Sequence, residues 1–139
     1  MDIITKRLKF NTKGTGDLLN ITVSIQNVLD RLNIEQGLVN VFVGGSTAAI
    51  TTFEYENGLI KDMEQLYERI APRNKSYAHD ETWDDANGFS HVRAAMQGPM
   101  VSIPFQNGKL LTGTWQQIVL AEFDTRPRQR EIILTFIGK

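Results

Sequence analysis

The chain has 139 residues, a formal net charge of −1 and no cysteine. This length predicts one domain with its own hydrophobic core, and the lack of cysteine excludes disulfides, thiolate metal ligands and a cysteine nucleophile. The near-zero charge excludes a broad basic surface for nucleic acid. The first residues lack the apolar core of a signal peptide and no apolar run reaches bilayer length, so we expect a cytoplasmic protein that binds no membrane.

Strand and helix patterns alternate through the first half of the chain. Residues 2–10 and Leu18-Leu19 predict two strands, and apolar residues then recur at helical spacing from Asn20, a suitable N-cap, to about Asn33. Residues 38–43 and 48–55 predict two more strands. Asn57-Gly58 predicts a turn, and the apolar stripe from Ile60 to Ile70 predicts a second helix that Pro72 ends.

The second half begins with a polar segment from Arg73 to about Phe89 and ends in strand patterns. A short helix is expected from His91 to Gln97, followed by strands over 100–105, 109–123 and 130–138. Asn107-Gly108 is the residue pair that a type I′ hairpin requires. We therefore predict an α+β fold over residues 1–139: a single compact domain with a mostly antiparallel sheet or sandwich and two main helices packed on it.

Both histidines of the chain lie in or beside the polar segment. His79 and His91 flank a run of carboxylates that includes Asp85, and Asn87 precedes His91 by one helical turn. A neutral imidazole can bind a metal or move a proton near pH 7. The spacing matches neither a zincin nor a zinc finger, so a metal would need carboxylates to complete its shell. The residues alone leave open a solvated acidic loop.

Two other stretches carry groups that bind anions. Ser46 and Thr47 follow Gly44-Gly45 and offer hydroxyls and backbone N–H groups for a small anion nest, without the lysine of a Walker loop. Arg126, Arg128 and Arg130 stand at alternate positions, and the last two share a strand face from which they could bind phosphate. The alternative is a pair of exposed arginines on an edge strand.

Two predicted strands contain polar residues with an ambiguous role. Neither face of the strand over 109–123 is purely polar, so we expect it to be buried or nearly so on both sides. Gln116 or Gln117 would then be hydrogen-bonded, and Trp115 is more typical of a core residue than of one that stacks on a ligand. Glu54 and Glu56 share one face of the strand over 48–55. If its aromatic face packs inward, both carboxylates lie at the surface.

The stretches "GSTAAITTFE", "YAHD", "DDANGFSH", "NGKLLTGTWQQI", "EFD" and "PRQRE" occur in the order and spacing of a known family. From about Asn20 to Gly138 the chain resembles the YjbQ family, also called the secondary thiamine-phosphate synthase family. The resemblance implies an α+β domain with antiparallel sheets and a homotrimer with pockets near the subunit interfaces. It also implies weak thiamine-phosphate synthase activity, which couples a hydroxymethylpyrimidine diphosphate to a thiazole phosphate and releases pyrophosphate.

The resemblance, together with the patterns above, assigns roles to particular residues of a site for a small phosphorylated molecule. The expected catalytic residues are Glu54, His79, Asp85, Asn87, His91 and Gln116. The expected substrate- and phosphate-binding residues are Ser46, Thr47, Trp115, Arg126, Arg128 and Arg130. A divalent metal, Mg²⁺ or Zn²⁺, would be held by His79, His91 and Asp85.

Two departures from the family pattern deplete the imidazole ligands, because Gly45 and Phe89 stand where many relatives have histidine. The departures shift the expectation from a transition metal towards a hard cation or no metal. A second hypothesis keeps the same residues but no catalysis: a trimeric protein that binds a metal or a phosphorylated metabolite.

Overall fold

A computed structural model of the chain describes residues 1–83 and 85–139, so Asp84 of the acidic segment lies outside the described residues. The elements in chain order are β1 (Asp2–Asn11), β2 (Leu18–Asn20), α1 (Thr22–Asp30), β3 (Gln36–Val43), β4 (Ala48–Glu54), α2 (Asn57–Ile70), α3 (Ala78–Trp83), α4 (Gly88–Gln97), β5 (Met100–Gln106), β6 (Lys109–Leu110), β7 (Gln116–Glu122) and β8 (Gln129–Gly138).

The strands form two antiparallel sheets. Five strands are hydrogen-bonded in the order β1-β8-β3-β5-β6, and three in the order β2-β7-β4. The larger core lies between the two sheets and includes Val41, Leu134, Ile50 and Leu120, all at most 1% exposed. Helix α1 adds Ile25 and Leu29 to this core. The predicted α+β sandwich is thereby confirmed.

A second core lies on the other face of the three-stranded sheet. Ala49, Val119 and Ala121 pack there with Tyr67 of α2 and Ala94 of α4. Because successive side chains of a strand point to opposite faces, Ile118 and Leu120 of β7 enter the first core while Val119 and Ala121 enter the second. The middle strand is therefore buried on both faces, as its sequence predicts, from Ile118 onward.

The hairpin turn is as the sequence predicts. Asn107 and Gly108 both have positive φ, 53° and 70°, and they join β5 to β6 with Gln106 paired to Lys109. Positive φ at both central residues is the type I′ geometry.

The predicted strand over 109–123 is wrong as one element. The chain leaves the five-stranded sheet after Leu110 and enters the three-stranded sheet at Gln116. A continuous β-type pattern cannot reveal this change of sheet, because both pieces have the same residue preferences.

The expected turn at Asn57-Gly58 is instead the first turn of α2. The carboxylate of Glu56 caps the helix, accepting hydrogen bonds from the backbone N–H groups of Gly58 and Leu59. Asn20 ends β2 rather than capping α1 directly, although its side-chain oxygen accepts from Thr22 N at 3.1 Å. No described helix has the length and apolar character to span a bilayer.

Candidate functional site

The site lies where strands β4 and β7 meet at one end of the three-stranded sheet. Ala48, the first residue of β4, pairs with Glu122, the last of β7. This pairing places the residues just outside both strands together, and Phe123 N donates to Thr47 O at 3.0 Å. Thr47 and Asp124 are therefore neighbours although they are far apart in sequence.

A buried ion pair lies at this end of the three-stranded sheet. Arg130 Nε and Nη2 donate to the two carboxylate oxygens of Glu122 at 2.8 and 2.5 Å, and Nη2 also donates to Thr47 Oγ1 at 2.7 Å. Arg130 is 3% exposed and Glu122 is fully buried. Thr12 Oγ1 donates to Glu122 at 2.7 Å. Two of the six predicted substrate- and phosphate-binding residues, Arg130 and Thr47, are thus buried and occupied with internal contacts.

Asp124 lies next to the Arg130–Glu122 ion pair and is 3% exposed. Its carboxylate accepts from Thr125 N at 2.8 Å, from Thr47 Oγ1 at 3.2 Å and from Arg128 Nη1 at 2.5 Å. Burial by itself raises the pKa of Asp124, but hydrogen bonds from Thr125, Asn87 and Thr47 and the charge of Arg128 outweigh it, so the pKa lies below its ordinary value of 3.8. Asp124 is an anion at neutral pH that orients Arg128.

The two histidines meet beside Asp124. Their ring centroids are 4.3 Å apart, with the rings tilted by 39°. His79 lies on α3 and His91 on the first turn of α4, and Asp80 joins the two helices because its Oδ1 accepts from Gly88 N at 2.8 Å. The short helix α3, which the sequence patterns did not predict, is what turns His79 towards His91.

Acidic groups surround His79. Its Nδ1 lies 3.3 Å from Asp85 Oδ1 and 3.8 Å from Asp80 Oδ1. When the Asn87 amide is oriented to satisfy its hydrogen bonds, its nitrogen donates to both oxygens of Asp85 at 2.9 and 3.2 Å. Asn87 therefore holds Asp85 in place for the imidazole.

His91 is held neutral near pH 7. Burial lowers its pKa below the ordinary value of 6.5 and His79 lowers it further, while Asp85, Asp124 and Asp80 act in the opposite direction. A neutral imidazole offers one nitrogen lone pair, which can accept a proton or bind a cation.

The group of donors is chemically suited to a divalent cation. One ligand atom each from His79, Asp80 and Asp85 lies within 4.8 Å of the other two. A ring nitrogen with carboxylate oxygens is a set that Zn²⁺ and similar transition metals accept, whereas Mg²⁺ prefers oxygen alone. His91 stands close enough to the His79 ring to supply a second nitrogen.

A shallow depression of about 340 Å³ opens beside His91. The small residues Ala94 and Ala95 of α4 line one side, and the turn that holds Gly45 and Ser46 lines the other. Ser46 is exposed, so its hydroxyl is available to a ligand. A Cβ at Gly45 (φ +136°) would lie 2.9 Å from Arg130 Nη1, so a histidine there would require Arg130 to move.

Glu54 and Gln116 lie at the opposite end of the three-stranded sheet. They are cross-strand partners, six residues from the pair Ala48–Glu122, which corresponds to roughly 20 Å along the strands. Within one chain they do not join the histidines. Gln116 is exposed rather than buried, and it donates to Thr52 Oγ1 at 3.2 Å and accepts from Gly113 N at 3.0 Å. Its role in this chain is to fix the entry to β7.

Trp115 and Arg126 are also outside the cluster. Trp115 is 71% exposed, so it is not the core residue that the sequence indicates. Arg126 is exposed on the turn before β8, against the backbone of Gly14. Sequence reasoning missed Asp80 and Asp124 as site residues. The signal for Asp124 was available, since a carboxylate directly follows a strand that is buried on both faces.

The sequence of this chain matches a known protein family. The model of the family described as "UPF0047 protein YjbQ-like" matches residues 6–139. A UPF0047 protein of Methanothermobacter thermautotrophicus is 37% identical over 139 residues, covering 100% of this chain and 95% of that protein. UPF0047 protein YjbQ of Escherichia coli O157:H7 is 31% identical over 136 residues, covering 96% and 97%.

Solved structures agree with the fold. A YbjQ-like protein of unknown function from Sulfolobus solfataricus superposes with a TM-score of 0.88 at 28% identity, covering 99% of this chain and 100% of that one. An uncharacterized protein of the yjbq/upf0047 family from Clostridium acetobutylicum gives 0.82 at 28% identity, with 94% and 99% covered. The chain belongs to the YjbQ-like UPF0047 family.

Proposed function

We propose that this protein is an enzyme that binds a divalent cation at His79 and Asp85 and acts on a small phosphorylated or diphosphorylated substrate. The observation that carries the proposal is the meeting of His79, Asp85 and His91, with Arg128 bound to Asp124, whose charge acts on His91. Imidazole and carboxylate groups beside a depression that His91 lines, with a guanidinium bound to the neighbouring Asp124, are components of metal-assisted phosphate chemistry. The reaction expected from the family is thiamine-phosphate-synthase-like transfer with release of pyrophosphate.

Zn²⁺ or a similar cation suits the donors better than Mg²⁺, because at least one ligand is an imidazole nitrogen. When bound, such a cation neutralises the charge of a leaving diphosphate. Asp80 and Asn87 would set the geometry of the ligands, since Asp80 ties α3 to α4 and Asn87 donates to Asp85.

Three further residues, Arg128, Ser46 and His91, would contact the substrate. Arg128 is partly exposed and keeps donors free after its bond to Asp124, so it can bind phosphate oxygens. Ser46, which lines the depression together with His91, would donate a second hydrogen bond to the substrate. His91 would accept or return a proton, because it is neutral at pH 7.

We also propose that the protein assembles as a homotrimer through the outer face of the five-stranded sheet. That face carries exposed apolar residues in neighbouring strands, with Ile3 paired to Ile137 and Ile137 paired to Leu38. Contiguous exposed apolar surface is typical of an interface. Sedimentation equilibrium should give about three times the chain mass of 15.7 kDa, and a value of one chain mass would refute the trimer.

The test of the enzyme proposal is pyrophosphate release from hydroxymethylpyrimidine diphosphate and thiazole phosphate, with Zn²⁺, Mn²⁺ or Mg²⁺ added. We expect turnover that falls at least about 100-fold in His91→Asn, the usual effect of losing a general acid or base. Lys61→Ala, on the exposed side of α2, is the matched control and should retain full activity. Equal activity of His91→Asn and the control would remove His91 from the chemistry.

A binding role without catalysis is the second candidate. It is favoured by the separation of Glu54 and Gln116 from the histidines and by the burial of Arg130, which leave fewer groups for catalysis than the sequence predicts. Saturable binding of both phosphorylated compounds without pyrophosphate release would support this role.

A further inference from the structure

A second cavity of about 380 Å³ lies between α2 and the turn before β2 and shares no lining residue with the depression beside His91. Apolar walls are provided by Leu18, Tyr67 and Phe123. Four charged side chains, Glu64, Glu68, Arg73 and Arg93, line the same cavity. Its size is near the lower end of the range for small-molecule pockets, so a ligand with few non-hydrogen atoms fits it.

Two of the four charges are paired with each other. Arg93 is buried, with Nη2 donating to Glu68 Oε2 at 2.7 Å and Nε donating to Ala71 O at 3.0 Å. Its guanidinium also lies 4.9 Å from the centroid of the Phe89 ring. The Glu68 carboxylate also accepts a hydrogen bond from Arg73 N at 3.1 Å. Because the charges of Arg93 and Glu68 neutralise each other, the net charge of the cavity depends on Arg73 and Glu64.

Arg73 and Glu64 form no ion pair with any residue in the described part of the chain. The guanidinium of Arg73 lies 5.4 Å from the Phe89 centroid, whereas the carboxylate of Glu64 lies beside Gly16. One cavity thus presents an exposed cation and an exposed anion that form no ion pair with each other. The two charges can be joined by a molecule that carries both opposite charges.

We propose that this cavity binds a small zwitterion, an α-amino acid whose carboxylate contacts Arg73 and whose ammonium group contacts Glu64. Its apolar side chain packs against Tyr67 and Phe123. The balanced charge of the lining disfavours a phosphate dianion, which would need a net positive site. The site is independent of the cation and phosphate chemistry proposed for the histidine cluster.

The test is a calorimetric titration of the full chain with each of the standard L-amino acids, with L-leucine as the reference apolar ligand. We expect saturable binding, with at least tenfold weaker binding of 4-methylpentanoate and 3-methylbutylamine, which each lack one of the two charged groups. Glu64→Gln and Arg73→Gln should each weaken amino-acid binding at least tenfold, about 1.4 kcal/mol. Arg31→Gln, at an exposed arginine outside the cavity, is the control and should bind as the unmodified protein does.

Both exposed substitutions leave the buried Arg93–Glu68 pair intact, so the variants are expected to fold, and their unchanged melting temperature checks this. The proposal is overturned if no amino acid binds saturably, if the two half-molecules bind as tightly as L-leucine, or if the Gln variants bind as the control does. None of these results bears on pyrophosphate release or metal binding at the histidine cluster.

Discussion

Replacing Arg130 with methionine removes the cation from the buried pair beneath the site and leaves the Glu122 carboxylate in a fully buried position. Breaking a buried ion pair by removing one partner costs roughly 3–5 kcal/mol. Glu122 keeps two donors, Thr12 Oγ1 at 2.7 Å and Asp124 N at 3.1 Å, which places the expected loss near the lower end, about 3 kcal/mol. For a chain of this length the melting temperature should fall by roughly 10 °C.

The assay is thermal and urea unfolding of three variants. Arg7→Ala is the matched control, because Arg7 makes a 2.7 Å bond to Glu131 but both side chains are at least 40% exposed. Exposed pairs of this kind contribute at most about 1 kcal/mol. The double variant Arg130→Met with Glu122→Leu replaces both charges and should melt above the single Arg130→Met. The reasoning is refuted if Arg130→Met costs no more than Arg7→Ala, or if the double variant melts lowest.

Two further predictions concern acid stability and close packing. Folding lowers the pKa of His91, so below about pH 6.5 the unfolded chain binds more protons than the folded one. The free energy of unfolding should therefore fall as the pH drops through that value. The fall should be less steep in His91→Asn, which lacks the imidazole. Stability curves of equal slope between pH 7 and 5 would contradict this. Gly88→Ala would put a Cβ 2.5 Å from Tyr77 Cβ and should cost roughly 1–3 kcal/mol, whereas Gly44→Ala, with open space around it, should change stability by less than about 0.5 kcal/mol. Equal unfolding free energies for the two alanine variants would show that the packing on Tyr77 is not tight.

Local sequence rules predicted the elements that depend on local chemistry. Strand β7 was recognisable because apolar residues occupy both of its faces, and the Asn107-Gly108 hairpin because both residues adopt positive φ readily. The boundary between β6 and β7 was not recognisable, since it depends on which sheet each segment joins. Strand β6 pairs with its hairpin neighbour β5, whereas β7 pairs with β4 and β2, which are distant in the chain.

Only part of the candidate site could be predicted from the sequence, for the same reason. The resemblance selected His79, Asp85 and His91, which the structure brings together. Spacing placed Arg128 and Arg130 on one strand face, but one is partly exposed and the other is buried against Glu122, because β8 enters the sheet between them. Periodicity gives the direction of a side chain and not what covers it.

The most direct test of the central claim is the binding of Zn²⁺ measured by isothermal titration calorimetry. The account predicts one ion per chain for the unmodified protein and at least tenfold weaker binding for His79→Gln and for Asp85→Asn. Glu54→Gln, at the far end of the three-stranded sheet, should bind as the unmodified protein does. The account is contradicted if the unmodified protein binds no Zn²⁺, or if His79→Gln and Asp85→Asn bind it as tightly as Glu54→Gln.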